Sequence, residues 1–148
     1  MSARRTVITG MGIVSPVGSD IDTAWEAVCN GRSGIGPITS FDASNLSTQI
    51  AGEVRGFDVE AYLSPKEARK NDQFIHFGMA ASIQALRDAG LEDGSAALDP
   101  ERVGCSLGAG IGGIATIEST TESYLKGGPR KVSPFFIPGT IVNMIGGN

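Results

Sequence analysis

Thr6-Val7-Ile8-Thr9-Gly10-Met11-Gly12-Ile13-Val14 is the stretch on which the fold turns. Its β-branched residues suit a buried strand, and Gly10 and Gly12 mark a backbone that another element approaches closely. Val103-Gly104-Cys105-Ser106-Leu107 reads as a second short buried strand. Helical spacing fills the rest. Ile21, Trp25, Val28 and Cys29 recur on one face, with Thr23 and Glu26 as a capping box and Gly31 as the stop. From about Asp72 to Ala89, residues Phe74, Ile75, Phe77, Met79, Ala80, Ile83 and Leu86 are apolar on most faces, and Gly90-Leu91 closes the helix. Such a helix belongs between layers. Ile114, Ile117, Thr121 and Leu125 mark another, ended by Gly127-Gly128-Pro129.

Strands alternating with helices predict an α/β chain with a mainly parallel, layered sheet. Residues 31 to 65 are irregular apart from a plausible edge hairpin at Gln49 to Val54, and Glu92 to Arg102 is a polar surface connection. Pro134-Phe135-Phe136-Ile137-Pro138 reads as an extended segment, followed by the apolar Thr140 to Ile145. Two strands and a hairpin are too few to cover both faces of three helices.

The chain has 148 residues, 21 of them Gly, and a formal net charge of -4, which opposes a general attraction to nucleic acid or anionic lipid. Cys29 and Cys105 lack the short spacing of a zinc or redox pair, which points to a reducing, cytoplasmic setting. The basic start imitates a signal-peptide head. Thr9, Gly10, Gly12, Ser15 and Pro16 interrupt the apolar stretch that should follow it, and no run reaches the ~18 apolar residues of a membrane span.

Gly108-Ala109-Gly110-Ile111-Gly112-Gly113 matches the dinucleotide fingerprint, yet the region about 20 residues on reads Gly128-Pro129-Arg130-Lys131-Val132, without the acidic residue that would hold a ribose. Tight backbone turning beside a pocket or helix is the better reading. Both cysteines are read as packing residues and His76, the single histidine, as a satisfied core or interface residue. No nucleophile-base pair or metal cluster emerges. Lys66, Arg69 and Lys70 share one face if Pro65 opens a helical turn. Docking of an acidic partner and a solvated face partly neutralised by Glu67 and Asp72 both stay open, and Arg130-Lys131 is a weaker second pair. For Phe135-Phe136-Ile137, a core connection and a dimer or acyl-binding contact also stay open.

Read in order, Arg4 to Gly12, Ser15 to Gly18, Ser33-Gly34-Ile35, Phe41-Asp42, Lys66 to Lys70, Asp72, Gly108 to Gly113, Gly127 to Lys131 and Pro134 to Asn143 resemble the opening of the β-ketoacyl-[acyl carrier protein] synthases. The likeness covers essentially the whole chain and is greatest to the elongating type II branch. It implies a thiolase-like fold of two related α/β halves, each with a mixed five-stranded sheet, stacked in five layers and paired as a homodimer. Residues 1–148 would be an incomplete N-terminal half, a mixed sheet flanked by helices, stopping before the nucleophile. The implied activity is decarboxylative Claisen condensation of acyl and malonyl groups carried on the phosphopantetheine arm of acyl carrier protein. The family's cysteine, two histidines and lysine would lie past Asn148, so this chain alone is expected to be inactive. By the same resemblance Ile111 gates the acyl pocket, Phe136 and Ile137 line the pocket of the other subunit, and Lys66, Arg69, Lys70, Arg130 and Lys131 meet the carrier protein. No cofactor, metal, membrane or nucleic acid is expected. The alternatives are a noncatalytic carrier-binding or dimerisation module and, on the glycine fingerprint only, a nucleotide-dependent oxidoreductase.

Overall fold

The computed structural model describes residues 4–92 and 98–148, so part of the expected surface connection at 92–102 lies outside the described residues. Two compact units divide them, residues 4–57 with 81–92 and residues 58–80 with 98–148.

In the first unit, helix α1 (Ile21–Cys29) starts where the Asp20 carboxylate accepts the Thr23 N–H at 2.8 Å. Asp20 therefore caps the helix, rather than the expected Thr23-Glu26 pair: Glu26 is engaged by Arg32 instead. The helix ends as Gly31 takes a φ of 64° and the Gly31 and Arg32 amides donate back to the Val28 and Ala27 carbonyls. Strands β1 (Ile35–Pro37) and β2 (Ile50–Gly52) pair antiparallel, Ile35 opposite Gly52 and Pro37 opposite Ile50, which places the hairpin expected near Gln49 to Val54. Just beyond β2, Glu53 gathers the Thr39 hydroxyl (2.7 Å), the amides of Thr39 (2.9 Å) and Ser40 (3.0 Å) and the Arg55 guanidinium (3.0 Å). These bonds, the Thr39 hydroxyl foremost, hold its carboxyl well below the ordinary glutamate range.

Residues 6–14 form no strand ladder, contrary to the sequence reading. The close approach expected at Gly10 and Gly12 is present, and its agent is helix α3 (Gln73–Asp88), whose second half belongs to this unit. A Cβ on Gly10 would sit 2.2 Å from the Ala85 carbonyl oxygen, and one on Gly12 would sit 2.0 Å from that of Ala81. The amides of Met11 and Ile13 donate to Asp88 Oδ2 (2.9 Å) and Gln84 Oε1 (3.0 Å). Helix side chains thus supply acceptors that a neighbouring strand would otherwise provide. Val103 to Leu107 is likewise unpaired, so the mixed sheet implied by the resemblance is reduced among the described residues to the two short strands of one hairpin. Cys29 and Cys105 are both exposed and free, contrary to the packing role read from the sequence.

The second unit is centred on the first half of α3, where Ile75 and Ala80 are fully buried. Gly78 lets Ile145 close on that helix: a Cβ there would lie 2.6 Å from Ile145 Cγ2. Helix α4 (Ile114–Gly127) begins at Gly113, which offers no capping side chain. The cap comes instead from Asp72, a buried residue whose Oδ2 accepts the Thr116 amide at 2.9 Å across 44 positions of sequence. Its Oδ1 takes a longer bond of 3.4 Å from Phe74 N–H at the start of α3, and its own amide donates to the Gly139 carbonyl. One carboxylate serves the first turns of two helices. Residues 136–140 are helical, not extended: α5 (Phe136–Thr140) accommodates Pro138 at its third position, where an N–H would have no partner within the helix.

Much apolar surface is left uncovered. Ile8 is 82% exposed, Leu125 77% and Trp25 66%. The accessible surface is 10968 Å², where a folded monomer of this length leaves about 7,000 Å². Trp25, Val28, Met11 and Ile13 help to line an open apolar groove of about 540 Å³ in the first unit. No helix among the described residues is long and apolar enough to cross a membrane.

Three outcomes follow from this packing. Asp72→Ala should destabilise the protein by about 2–3 kcal/mol in denaturant unfolding, Asp72→Asn by less, because two helix starts lose a charge-assisted acceptor. Glu53 has a lowered folded pKa, so its contribution is complete above the ordinary glutamate value of 4.5 and is lost as pH falls toward the depressed one. Stability of the first unit, followed by amide exchange, should therefore fall on acidification below that value, and Glu53→Gln should flatten the dependence. The 148 residues produced alone should self-associate and bind a hydrophobic dye; a monodisperse monomer that leaves the dye dark would contradict the exposure seen at Ile8, Trp25 and Leu125.

Candidate functional site

The pocket and docking candidates singled out from the sequence all lie in the second unit. Helix α2 (Pro65–Ala68) is only four residues long, and its start is fixed reciprocally: Ser64 Oγ accepts the Glu67 amide, while Glu67 Oε2 accepts the Ser64 amide (3.0 Å) and hydroxyl (2.6 Å). The Ser64 bonds, aided by Lys70 and Lys66, lower the Glu67 carboxyl. Pro65 does open a helical turn, and Lys66, Arg69 and Lys70 follow it. Lys66 and Arg69 are exposed. Lys70 is half-buried, its Nζ 4.9 Å from the centre of the Phe135 ring. None of the ion pairs among the described residues involves these three cations. Asp72 does not neutralise the face, as the sequence had allowed, because its carboxylate is turned inward to the helix amides.

The turn ends at a carbonyl with no partner inside so short a helix, and His76 supplies one: its Nε2 lies 2.9 Å from Ala68 O. An oxygen acceptor requires Nε2 to carry the proton, so this nitrogen is engaged and is no free base. His76 is half-buried and satisfied, as expected. Arg130 and Lys131 occupy a 3-10 turn after α4, both exposed, with the Lys131 stem laid over Gly127. They stand on a different element from the Lys66 turn.

Lys70 and Phe135 join the basic turn to the segment that carries the apolar candidates, and a cavity of about 320 Å³ between them is lined by Glu67, Lys70, Asn71, Phe135, Pro138 and others. Thr140 links that segment to the glycine loop: the Gly113 amide donates to Thr140 O at 2.9 Å, and Gly112, at φ 82°, passes so close that a Cβ would be 2.6 Å from the same oxygen. Ile111 and α5 are thereby set in one frame. Phe136 is half-buried, whereas Ile111 is 70% and Ile137 58% exposed, so the three do not by themselves enclose a pocket. The glycine loop is a turning device, as the sequence suggested. Two amides that would have to cradle a pyrophosphate, those of Gly113 and Thr116, are taken by Thr140 O and Asp72 Oδ2, and a carboxylate already occupies the start of α4.

Among the described residues no group of three His, Cys, Asp or Glu side chains could hold a metal ion. Sequence reasoning missed the role of Asp72. Its place just ahead of a helix was a capping signal, but no local pattern could disclose the bond to Thr116.

The description Beta-ketoacyl synthase, N-terminal domain, matches residues 3–148 of the chain. The 3-oxoacyl-[acyl-carrier-protein] synthase 2 of Vibrio cholerae serotype O1 is 53% identical over 148 residues, all of this chain and 35% of that protein. The synthase of the same name from Coxiella burnetii is 50% identical over 147 residues, 99% of this chain and again 35% of the relative. A solved type II PKS ketosynthase, in complex with its acyl-carrier protein and bound to the hexaketide, superimposes with a TM-score of 0.75 at 25% identity, covering 95% of this chain and 37% of that one. The chain spans about a third of the length of these relatives. With the thiolase-like architecture of its structural neighbours and a match that runs from residue 3 to residue 148, the chain belongs to the β-ketoacyl synthase family, as an N-terminal domain sequence.

Proposed function

We propose that this chain works as part of a longer β-ketoacyl-[acyl carrier protein] synthase that elongates fatty acyl chains in the cytoplasm as a homodimer. The observation that carries the reading is 53% identity across all 148 residues to a 3-oxoacyl-[acyl-carrier-protein] synthase. In such a reaction a cysteine thiolate attacks the acyl thioester and the carrier's thiol leaves. Malonyl-carrier protein then loses carbon dioxide, the electron pair of the broken C–C bond passes into an enolate, and the enolate carbon bonds to the acyl carbonyl as the cysteine thiolate is expelled. Preorganised donors stabilise the enolate oxygen. These reacting groups are assigned to polypeptide outside the 148 residues, so the chain alone is inactive.

What the chain contributes is a docking face and pocket walls. Lys66, Arg69 and Lys70, with Arg130 and Lys131, receive the acidic acyl carrier protein; the exposure of Lys66, Arg69, Arg130 and Lys131, and the lack of ion pairs to any of the five among the described residues, leave their field directed outward. Ile111 gates the acyl pocket, and Phe136 and Ile137 line that of the second subunit; the exposure of Ile111 and Ile137 fits surfaces that need other polypeptide to close them. No cofactor is assigned.

In the full-length protein, combined Lys66→Glu and Arg69→Glu substitutions should raise the KM for acyl groups presented on carrier protein about tenfold or more and weaken its salt dependence. Turnover of the same acyl group on free pantetheine should be unchanged. An unaltered KM for the carrier-bound substrate would remove the docking role.

A further inference from the structure

We infer that His76 is a positioning residue for the carrier-docking turn, holding the basic residues on and just after α2 in the orientation that an acidic partner meets. The inference rests on the docking role proposed for Lys66 and Arg69. Its basis is the chain of bonds below the turn. A four-residue helix cannot satisfy its own last carbonyls: the Arg69 amide reaches Pro65 O and the Lys70 amide reaches Glu67 O, and Ala68 O is left for a group from elsewhere. That group is His76 Nε2, eight residues on and rooted in the second turn of α3.

Position matters here because of what flanks the bond. Ala68 precedes Arg69 and Lys70 directly, so the carbonyl held by His76 belongs to the peptide unit from which Arg69 departs. The other fixed points are at the edges: the Ser64-Glu67 box at the start, the Lys70 ammonium over Phe135, and the Lys70 carbonyl, which a Cβ on Gly139 would approach to 2.5 Å. His76 is the fastening beneath the middle. It is half-buried, so the tie is sheltered from water on one side, and its partner is a backbone atom that no substitution elsewhere in the turn removes. Fixing the turn in advance reduces the ordering cost when two long cationic side chains engage a partner. A side-chain amide at position 76 can donate the same bond; an alanine cannot.

The test uses the full-length protein with His76→Ala, His76→Gln and the Lys66→Glu, Arg69→Glu pair, assayed with one acyl group presented either on carrier protein or on free pantetheine. Expected are a rise of about three- to tenfold in KM for the carrier-bound substrate in His76→Ala, unchanged kcat, unchanged kinetics on pantetheine, and recovery in His76→Gln. A KM that stays within twofold of the parent, while the charge pair raises it, would overturn the role of His76 and leave the docking face standing. Equal losses on both substrates, or no recovery in His76→Gln, would make His76 a plain packing residue and overturn the inference too. If the charge pair itself leaves the KM unchanged, the docking reading fails, and this inference with it.

Discussion

The second unit depends on a single buried carboxylate. Asp72 closes the start of α3, to which it is joined, and of α4, which begins 42 positions later without a capping side chain of its own. A negative charge is favourable at both places, since the first amides of each helix point toward it. The same residue anchors α5 through the bond from its amide to Gly139. Gly113 and Gly139 permit the convergence: a Cβ on Gly113 would sit 2.8 Å from Thr140 Cα, and one on Gly139 would meet the Lys70 carbonyl oxygen. Three helix termini meet at one group because two of the approaching backbones carry no side chain.

The proposed docking face is built out from that point. Asp72 follows the basic turn by two residues, and its inward bonds keep its charge off the face that Lys66 and Arg69 present. Glu67 is near enough to lower that field, but its carboxylate is committed to Ser64. Lys70 differs from the other two cations, since its ammonium lies over the Phe135 ring and so ties the turn to α5. Charge that is fixed in place acts on encounter over distances that a Debye length of about 8 Å permits, so exposed cations in a rigid turn serve recognition more than stability.

Exposed apolar side chains bear on the incomplete pocket and on the missing sheet alike. Residues 6–14 and 103–107 have the composition of buried strands and, among the described residues, none of the ladder partners. In the first case α3 answers alternate amides with Gln84 and Asp88, which is enough to satisfy polar groups and too little to cover Val7 and Ile8. Relatives that this chain matches are about three times as long, and their additional length is where such faces can find cover.

Several features were legible in the amino-acid sequence because they are local. Periodicity placed α1, α3 and α4 to within a residue or two, Gly31, Gly90 and Gly128 took the positive φ that ends a helix, and the spacing of Lys66, Arg69 and Lys70 after Pro65 fixed a basic turn. The order of motifs carried the family. Other features were not legible, since they are settled by groups distant in sequence. Strand pairing needs a neighbour, so a run of β-branched residues could not tell a ladder from a segment served by helix side chains. Pro134 to Pro138 read as extended, yet Pro138 stands at the third position of α5, where no N–H is needed. Asp72 and His76 gained their roles from Thr116 and Ala68, whose positions relative to them are decided by packing alone. Sequence determined which backbone turns and helices are cheap to form; tertiary structure decided which carbonyls, amides and charges they are brought to face, because those partners are chosen by distance in space and not along the chain.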